Sequence, residues 1–554
     1  MTGTLLELFL ARAARHGDRE ALRALAVAGA TAELRYSWAD WERASRRVAG
    51  ALVAGGHRPG ERVAILAGNR PLWPIADLGI LMAGMVSVGI YPTSAPVQVR
   101  QTLADCGAVA ILVDSPEQLA KVAAVRDELP ALRTVVAQRG GSGERVTTWD
   151  AWLASGAPAL VQSEVAAEVR RRTAATGPDD PALLIYTSGS TGDPKGAIIS
   201  HRYLSASAAA IAERLGLDEG DRSLSFLPFC HAGERVFGLY TRIHAGMSCG
   251  LVADHQRLPE AARAYQPTLF GGLPRLYEKA AELLRAEGPD AGLELYFGGR
   301  VRLATCGGAS FPKDAVRFLS AKGLEVLGAY GLTEHLCVAM HRPGEADLES
   351  AGPPLGSTEI RLAEDGELLL RRSELTFSGY FGRPDETRAA FTADGEWLLT
   401  GDLGMVDERG RVRITGRKKE LIALASGKKV APLPIEARLA QDPWIAQAML
   451  YGESRPFISA LIVPRRATVE RWARKRRMAG TWPDLLRHEE ARSRVQEAVD
   501  RVNAGLSRPE QVRAFALLER ELTAEENELT PTLKLRRAGI AERYRDRLEA
   551  LYPR

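Results

Sequence analysis

The chain has 554 residues, 45% hydrophobic and 26% charged, an ordinary globular composition on a length that needs two or more domains. Its 73 basic and 69 acidic residues leave a formal charge of +4, so the balance gives no argument for nucleic acid or for an acidic partner. Five cysteines (Cys106, Cys230, Cys249, Cys306 and Cys337) are scattered and form no Cys-x-x-Cys, which argues against a disulfide framework or zinc site and fits a reducing cytoplasm.

The first twenty residues do not read as a signal peptide. Glu7 and Arg12 interrupt any apolar run, and the spacing Leu6, Phe9, Leu10, Ala13 predicts a helix. Pro74 to Pro92 is the only stretch resembling a membrane span. Asp77 and three glycines interrupt it, so it reads as a buried helix turning into the strand Val86–Ile90. "RVAILAG", "VSVGIYP", "VAILVD", "ALLIYTSG" and "GAIISH" are further strands, with helices such as "SASAAAIAERLGL" between them. This alternation predicts an α/β fold, a large N-terminal region of doubly wound, largely parallel sheets.

From about Gly356 the texture changes. "STEIRLAEDGELLLRRSELTFSGYF" alternates around Asp-Gly, which predicts a small antiparallel or barrel-like piece. "DLGMVDERGRVRITGRKKE" reads as a hairpin turning at "ERG". Beyond it the chain is more charged and helical. A boundary is expected at 416–419, between an N-terminal domain 1–415 and a smaller α+β domain 420–554.

"TSGSTGDPKG", Thr187 to Gly196, holds three glycines, four hydroxyls and a lysine between two apolar strands. Glycines leave backbone N–H groups uncovered, and successive free N–H groups form a concave anion site. The plain alternative is a Gly/Ser-rich surface loop. A Walker A motif fails here, because Pro194 stands where Gly-x-x-x-x-Gly-Lys needs its second glycine.

The loop, with "YTSGSTGDPKGAIISH" around it, resembles the signature of the acyl-adenylate-forming enzymes. "GAYGLTE" (Gly328–Glu334), "WLLTGDLG" (Trp397–Gly404), "GRKKELI" (Gly416–Ile422) and "PTLKLRR" (Pro531–Arg537) are similar to that family's further motifs, in order. "LPFCHAGERV" and "PTLFGGLPRLYEK" look like its long-chain fatty acyl-CoA synthetase branch.

The resemblance implies a carboxylic acid activated by ATP to acyl-AMP with loss of pyrophosphate, then passed to the CoA thiol. Catalysis would be chiefly positioning and electrostatic stabilisation. It implies that Thr187, Ser188, Gly189, Ser190, Thr191, Gly192 and Lys195 cradle phosphates. Thr333 would meet the α-phosphate, and Glu334 would be a Mg²⁺ ligand. Gly308, Ala309, Ala329 and Tyr330 would take adenine, and Asp402 with Arg417 the ribose. Lys534 would neutralise charge at the reacting groups, and Lys419 would be the hinge of a mobile C-terminal domain. His231 and Gly272 would border the acyl site, and Ser426 with Gly427 the CoA tunnel.

Each residue has a plainer reading: a helix-start acid for Glu334, a turn former for Asp402, a solvated lysine for Lys534. Adjacent Cys230 and His231 are rejected as a nucleophile pair. His335, Leu336 and Cys337 stand in a segment that lines the acyl pocket in relatives. The basic run Arg471–Met478 reads as a solvated helix face, with CoA phosphates or an anionic membrane surface as its alternative contacts. Three rivals stand beside the ligase reading: adenylation with a carrier-protein or amine acceptor, a kinase-like ATPase, and a non-catalytic nucleotide binder.

Overall fold

The computed structural model of the chain describes residues 3–25, 33–141, 145–157, 163–187, 194–309, 311–478, 480–523, 526, 528–530 and 534–553. Two eight-stranded sheets carry its N-terminal part. The first runs, in spatial order, Gly379–Tyr380, Lys195–Ser200, Pro181–Thr187, Val86–Ile90, Arg62–Leu66, Ala110–Val113, Thr134–Ala137 and Thr147–Thr148. Its central strands are parallel and almost wholly buried, which is why they read as unbroken apolar runs. Pro181–Thr187 and Lys195–Ser200 pair antiparallel, with Thr187 opposite Lys195, so the Gly/Ser-rich stretch connects a hairpin.

The second sheet runs His335–Met340, Val326–Leu332, Leu303–Cys306, Leu269–Gly272, Arg222–Ser225, Ser248–Leu251, Glu20–Ala24 and Leu34–Ser37. It is parallel inside and antiparallel at both edges. A four-stranded antiparallel sheet follows, Ile360–Leu362, Glu367–Arg371, Trp397–Val406 and Val412–Arg417, and includes the expected hairpin. The C-terminal part is a three-stranded sheet, Ile445–Tyr451, Ile458–Pro464 and Val512–Leu517, packed against the helices Pro432–Ala440 and Glu489–Asn503. The mixed α/β architecture read from the sequence is the one observed.

The first helix, Leu5–His16, opens on a capping box between Thr4 and Glu7. It buries Leu5, Leu6 and Phe9, and Phe9 meets Trp41 edge-on at 4.9 Å. Leu72–Met82 is buried at every position and leads into the strand Val86–Ile90, as expected. Among the described residues, no helix is long and apolar enough to cross a membrane. The helix Arg466–Lys475 buries Val469 and Ala473 and turns Arg471, Arg474 and Lys475 to solvent.

Asp77 in that buried helix has a reason to be there. It meets Arg235, and both side chains are 0% exposed. Tyr240 donates to its second oxygen at 2.6 Å, and Arg235 also reaches Ser87 at 2.6 Å. Burial works against the guanidinium charge, but the Asp77 carboxylate holds the Arg235 pKa above its ordinary value. Arg235 lies 4.7 Å from the Trp73 ring, on the π-helical turn Gly233–Tyr240 just after His231. The cluster therefore fixes the segment that carries His231. Asp77→Ala should destabilise the chain by about 3–5 kcal/mol, because it leaves a buried guanidinium unpaired. Chemical denaturation beside the native chain measures the loss.

Candidate active site

Register places most of the expected site at one edge of the second sheet. Gly272 pairs with Cys306, and Cys306 with Gly328, so three neighbouring parallel strands reach the same level. Gly308, Ala309, Ala329 and Tyr330 come at or just beyond that level. The carboxyl ends of parallel strands are where open α/β sheets bind ligands. Gly308 has φ +82°, and a Cβ there would stand 3.0 Å from Leu273, so glycine is required.

The strand Val326–Leu332 turns back into His335–Met340, and Thr333 and Glu334 form the turn. Tyr203, on the helix His201–Leu215, clamps it: its hydroxyl donates to the Thr333 carbonyl at 3.0 Å and accepts from the Leu336 amide at 2.7 Å. The Glu334 carboxylate accepts from the Tyr380 hydroxyl at 2.5 Å. Lys195, at the base of the hairpin, lies 3.7 Å from Glu386 and 5.5 Å from the Tyr380 ring centroid. Thr187 stands opposite it. Ser188, Gly189, Ser190, Thr191 and Gly192 lie outside the described residues.

Asp402 is 2% exposed and accepts from two directions, the Tyr330 hydroxyl at 2.6 Å and Arg417 Nε at 2.7 Å. Sheet register sets the second contact, because Asp402 and Arg417 are partners across adjacent strands. Burial first, and the neighbouring carboxylate second, push the Tyr330 hydroxyl far up, so it remains a donor. Arg417 is raised by Asp402 against its own burial.

Lys534, more than a hundred residues further along, enters the same cleft. Its side chain is exposed, yet the charges of Arg417, Asp402, Glu420 and Glu334 act on it. Burial, then the charge of Arg417, lower its pKa, while Asp402, Glu420 and Glu334 pull the other way. Lys534 also bears on His231, whose pKa falls to about 4 through burial and that lysine. His231 is thus a neutral imidazole; its Nδ1 accepts from the Gly233 amide at 3.1 Å, which leaves the proton on Nε2. Burial raises the Cys230 thiol, so it cannot serve as a thiolate, in keeping with the rejected nucleophile pair.

His335, Leu336 and Cys337 are all buried. The strand turns back beside its neighbour and delivers them to the core. His335 is fully buried between Thr358 at 2.9 Å and Thr376 at 3.3 Å, and burial holds it neutral, with a pKa of about 4.

Sequence reasoning missed Tyr380 and Lys418. Lys418 Nζ meets Asp365 at 2.6 Å and Glu367 at 2.8 Å, and so ties the turn after the strand Val412–Arg417 to the four-stranded sheet. The acidic "EDGE" turn, Glu364–Glu367, was the available signal. Lys419 is exposed beside it. Ser426 and Gly427 sit in an exposed turn between Ile422–Ala423 and Lys429–Val430, where Gly427 has φ +77° and open space around it. The turn's backbone bonds run to Leu424 and Arg455, within the C-terminal part.

These residues gather at the carboxyl edge of the second sheet, with Lys534 of the C-terminal part acting on them. The AMP-binding enzyme family profile matches residues 9–381, and the AMP-binding enzyme C-terminal domain profile matches 419–554. The chain belongs to the AMP-binding enzyme family. It is 34% identical to a long-chain-fatty-acid–CoA ligase of Mycobacterium bovis, over 92% of this chain and 90% of that one. It is 28% identical to long-chain-fatty-acid–CoA ligase 1 of Homo sapiens, over 93% and 82%. Among solved structures, an anthranilate CoA ligase in complex with anthranoyl-AMP aligns with a TM-score of 0.81, at 21% identity, covering 100% of this chain and 99% of that one. ATP-bound MatB from Rhodopseudomonas palustris gives 0.77, at 22% identity, covering 98% and 99%.

The Lys418 tether supports a test. Lys418→Ala should speed amide hydrogen exchange over residues 418–422 roughly five-fold, the equivalent of about 1 kcal/mol for a half-exposed ion pair. Exchange within Val326–Leu332 should not change.

Proposed function

We propose that the chain is an AMP-forming acid–thiol ligase that makes acyl-CoA from a medium- or long-chain fatty acid. The observation that carries the reading is Lys534, brought from the far end of the chain into the cleft with Glu334, Asp402, Arg417 and His231. The two curated relatives are named as long-chain-fatty-acid–CoA ligases and support the acid class and the CoA acceptor.

A carboxylate is a poor electrophile because oxide is a poor leaving group. In the first step its oxygen attacks the α-phosphorus of ATP, pyrophosphate leaves, and acyl-AMP forms. Negative charge builds on the α-phosphate and on the departing pyrophosphate. Lys534 and Thr333 answer the first, and Lys195 with Thr187 and the stretch Ser188–Gly192 the second. Asp402 accepts from the ribose hydroxyls, with Arg417 and Tyr330 holding its carboxylate in place. Ala329 and Tyr330 face adenine beside Gly308 and Ala309. Neutral His231 borders the acyl carboxylate with Gly272, and adds no positive charge to compete for it.

The chemistry of the site fits a magnesium ion. Glu334 supplies one carboxylate, and Mg²⁺ is commonly held by one or two carboxylates and substrate phosphates. Among the described residues no cluster of three or more His, Cys, Asp or Glu side chains could hold a metal by itself. When bound, the ion would supply charge neutralisation on the phosphates.

In the second step the CoA sulfur attacks the acyl carbonyl and AMP leaves. The C-terminal domain, 420–554, turns about the linker 416–419 with Lys419 as pivot. Lys534 then withdraws, and the turn holding Ser426 and Gly427 comes to line the pantetheine path. The exposure of that turn and the open space around Gly427 support this reading. A cytoplasmic setting is supported by five cysteines that are all free and buried.

An acid panel with ATP and CoA tests the reading by chromatography of the products. AMP, pyrophosphate and acyl-CoA are expected in equal amounts. Acid-dependent ADP would overturn it, and acylation of amines or carrier protein but not CoA would leave only the adenylation half.

Lys534→Ala should slow adenylate formation by roughly 10²-fold, for a charged contact of about 3 kcal/mol in the transition state. Thioester formation from supplied acyl-AMP should persist. The lowered lysine pKa adds a pH signature. The protonated form is the active one, and it is lost as pH rises through a value below that of an ordinary lysine. Adenylation by the native enzyme should therefore decline on the alkaline side, and Lys534→Arg, whose charge persists, should move that decline to higher pH. Initial rates of pyrophosphate release against pH give the comparison.

A further inference from the structure

The segment Phe377–Phe381 bridges the two halves of the nucleotide site. The Phe377 amide donates to the Glu334 carbonyl at 2.8 Å, in the turn at the edge of the second sheet. Ser378 then donates to Ile198 at 2.9 Å and Phe381 to Gly196 at 2.8 Å, while Gly379 and Tyr380 pair with Ile198 and Ala197. The segment thereby adds a strand to the first sheet, beside the arm of the hairpin that begins at Lys195. Gly379 has φ +139°, and a Cβ there would stand 2.7 Å from Thr387, so the approach requires glycine. The Tyr380 amide donates to Thr387 Oγ1 at 2.8 Å, which fixes the backbone at the tyrosine itself.

From that position the Tyr380 side chain serves two neighbours. Its hydroxyl donates to Glu334 Oε1 at 2.5 Å, and its ring lies 5.5 Å from Lys195 Nζ. A carboxylate offers about four lone-pair sites. The tyrosine uses one, on Oε1, and no hydrogen bond from a described residue falls on Oε2. A ring face attracts an ammonium group without neutralising it. Lys195 accordingly pairs with Glu386 at 3.7 Å rather than with Glu334.

We propose that Tyr380 is a positioning residue for the nucleotide: it orients the Glu334 carboxylate toward the divalent cation and holds Lys195 apart from that carboxylate, so that acid and lysine are separately available to the cation and the phosphates. The inference rests on the adenylation reading above. Hydrogen-bonded partners of ligating carboxylates orient them, and their loss commonly weakens metal affinity 10- to 100-fold.

The test is calorimetric titration of the full chain with ATP, without acid, once with Mg²⁺ and once with EDTA. Native chain, Tyr380→Phe, Glu334→Gln and the double variant are compared. Tyr380→Phe keeps the ring and removes only the oxygen, and an unchanged thermal midpoint checks its fold. It should bind Mg²⁺–ATP about ten-fold more weakly, and ATP in EDTA within a factor of about two of native. In the double variant the tyrosine change should add little to Glu334→Gln, because it acts through that carboxylate. Unchanged Mg²⁺–ATP affinity, equal weakening with and without the cation, or additive effects in the double variant would each overturn the proposal while the native chain still binds ATP. A native chain that binds no ATP would overturn the adenylation reading as well.

Discussion

The buried carboxylate of Asp402 is the point on which the site's parts converge. It lies in the four-stranded sheet, accepts from Tyr330 of the second eight-stranded sheet, and pairs across a strand with Arg417 at the start of the linker. A carboxylate with so little exposure needs partners on more than one side. Satisfying it therefore fixes three structural units relative to one another. Its field also reaches Lys534, so the same charge helps receive the C-terminal domain. Loss of any one of these contacts would be felt in the others, because they share an acceptor in a poorly solvated place.

The electrostatics of the cleft suit an anionic nucleotide. Lys195, Arg417 and Lys534 face it from three elements distant in sequence, and Glu334 and Asp402 temper them. Arg417 disfavours the charge on Lys534, and Lys534 disfavours a proton on His231. His231 stays neutral and can donate from Nε2 without adding a positive charge.

The linker joins a fixed part to one that our functional reading sets in motion. Lys418 is held by Asp365 and Glu367, while Lys419 beside it is exposed. A pivot next to an anchor is a sound arrangement for a hinge, since the dihedral change is confined to a few residues. The Ser426–Gly427 turn is kept in shape by bonds within its own domain. In our functional reading it travels with that domain as one piece.

Local pattern determined much of this protein. Apolar runs identified the parallel strands, Asp-Gly and "ERG" marked the antiparallel piece, and the failed Walker spacing already separated the glycine-rich stretch from a P-loop. The order of motifs named Glu334, Asp402, Arg417 and Lys534 together, since each carries its chemistry in its own short stretch. Only the tertiary structure decided which groups touch. The sequence pattern did not single out Tyr380, whose segment bridges two sheets, or Lys418, which pairs with Asp365 and Glu367. A strand reversal places His335 between two threonines, Thr358 and Thr376. In each case the deciding quantity is a contact between residues far apart in sequence, set by sheet register and chain reversal. Side-chain type and spacing determine what a residue can do; the fold determines what it is beside.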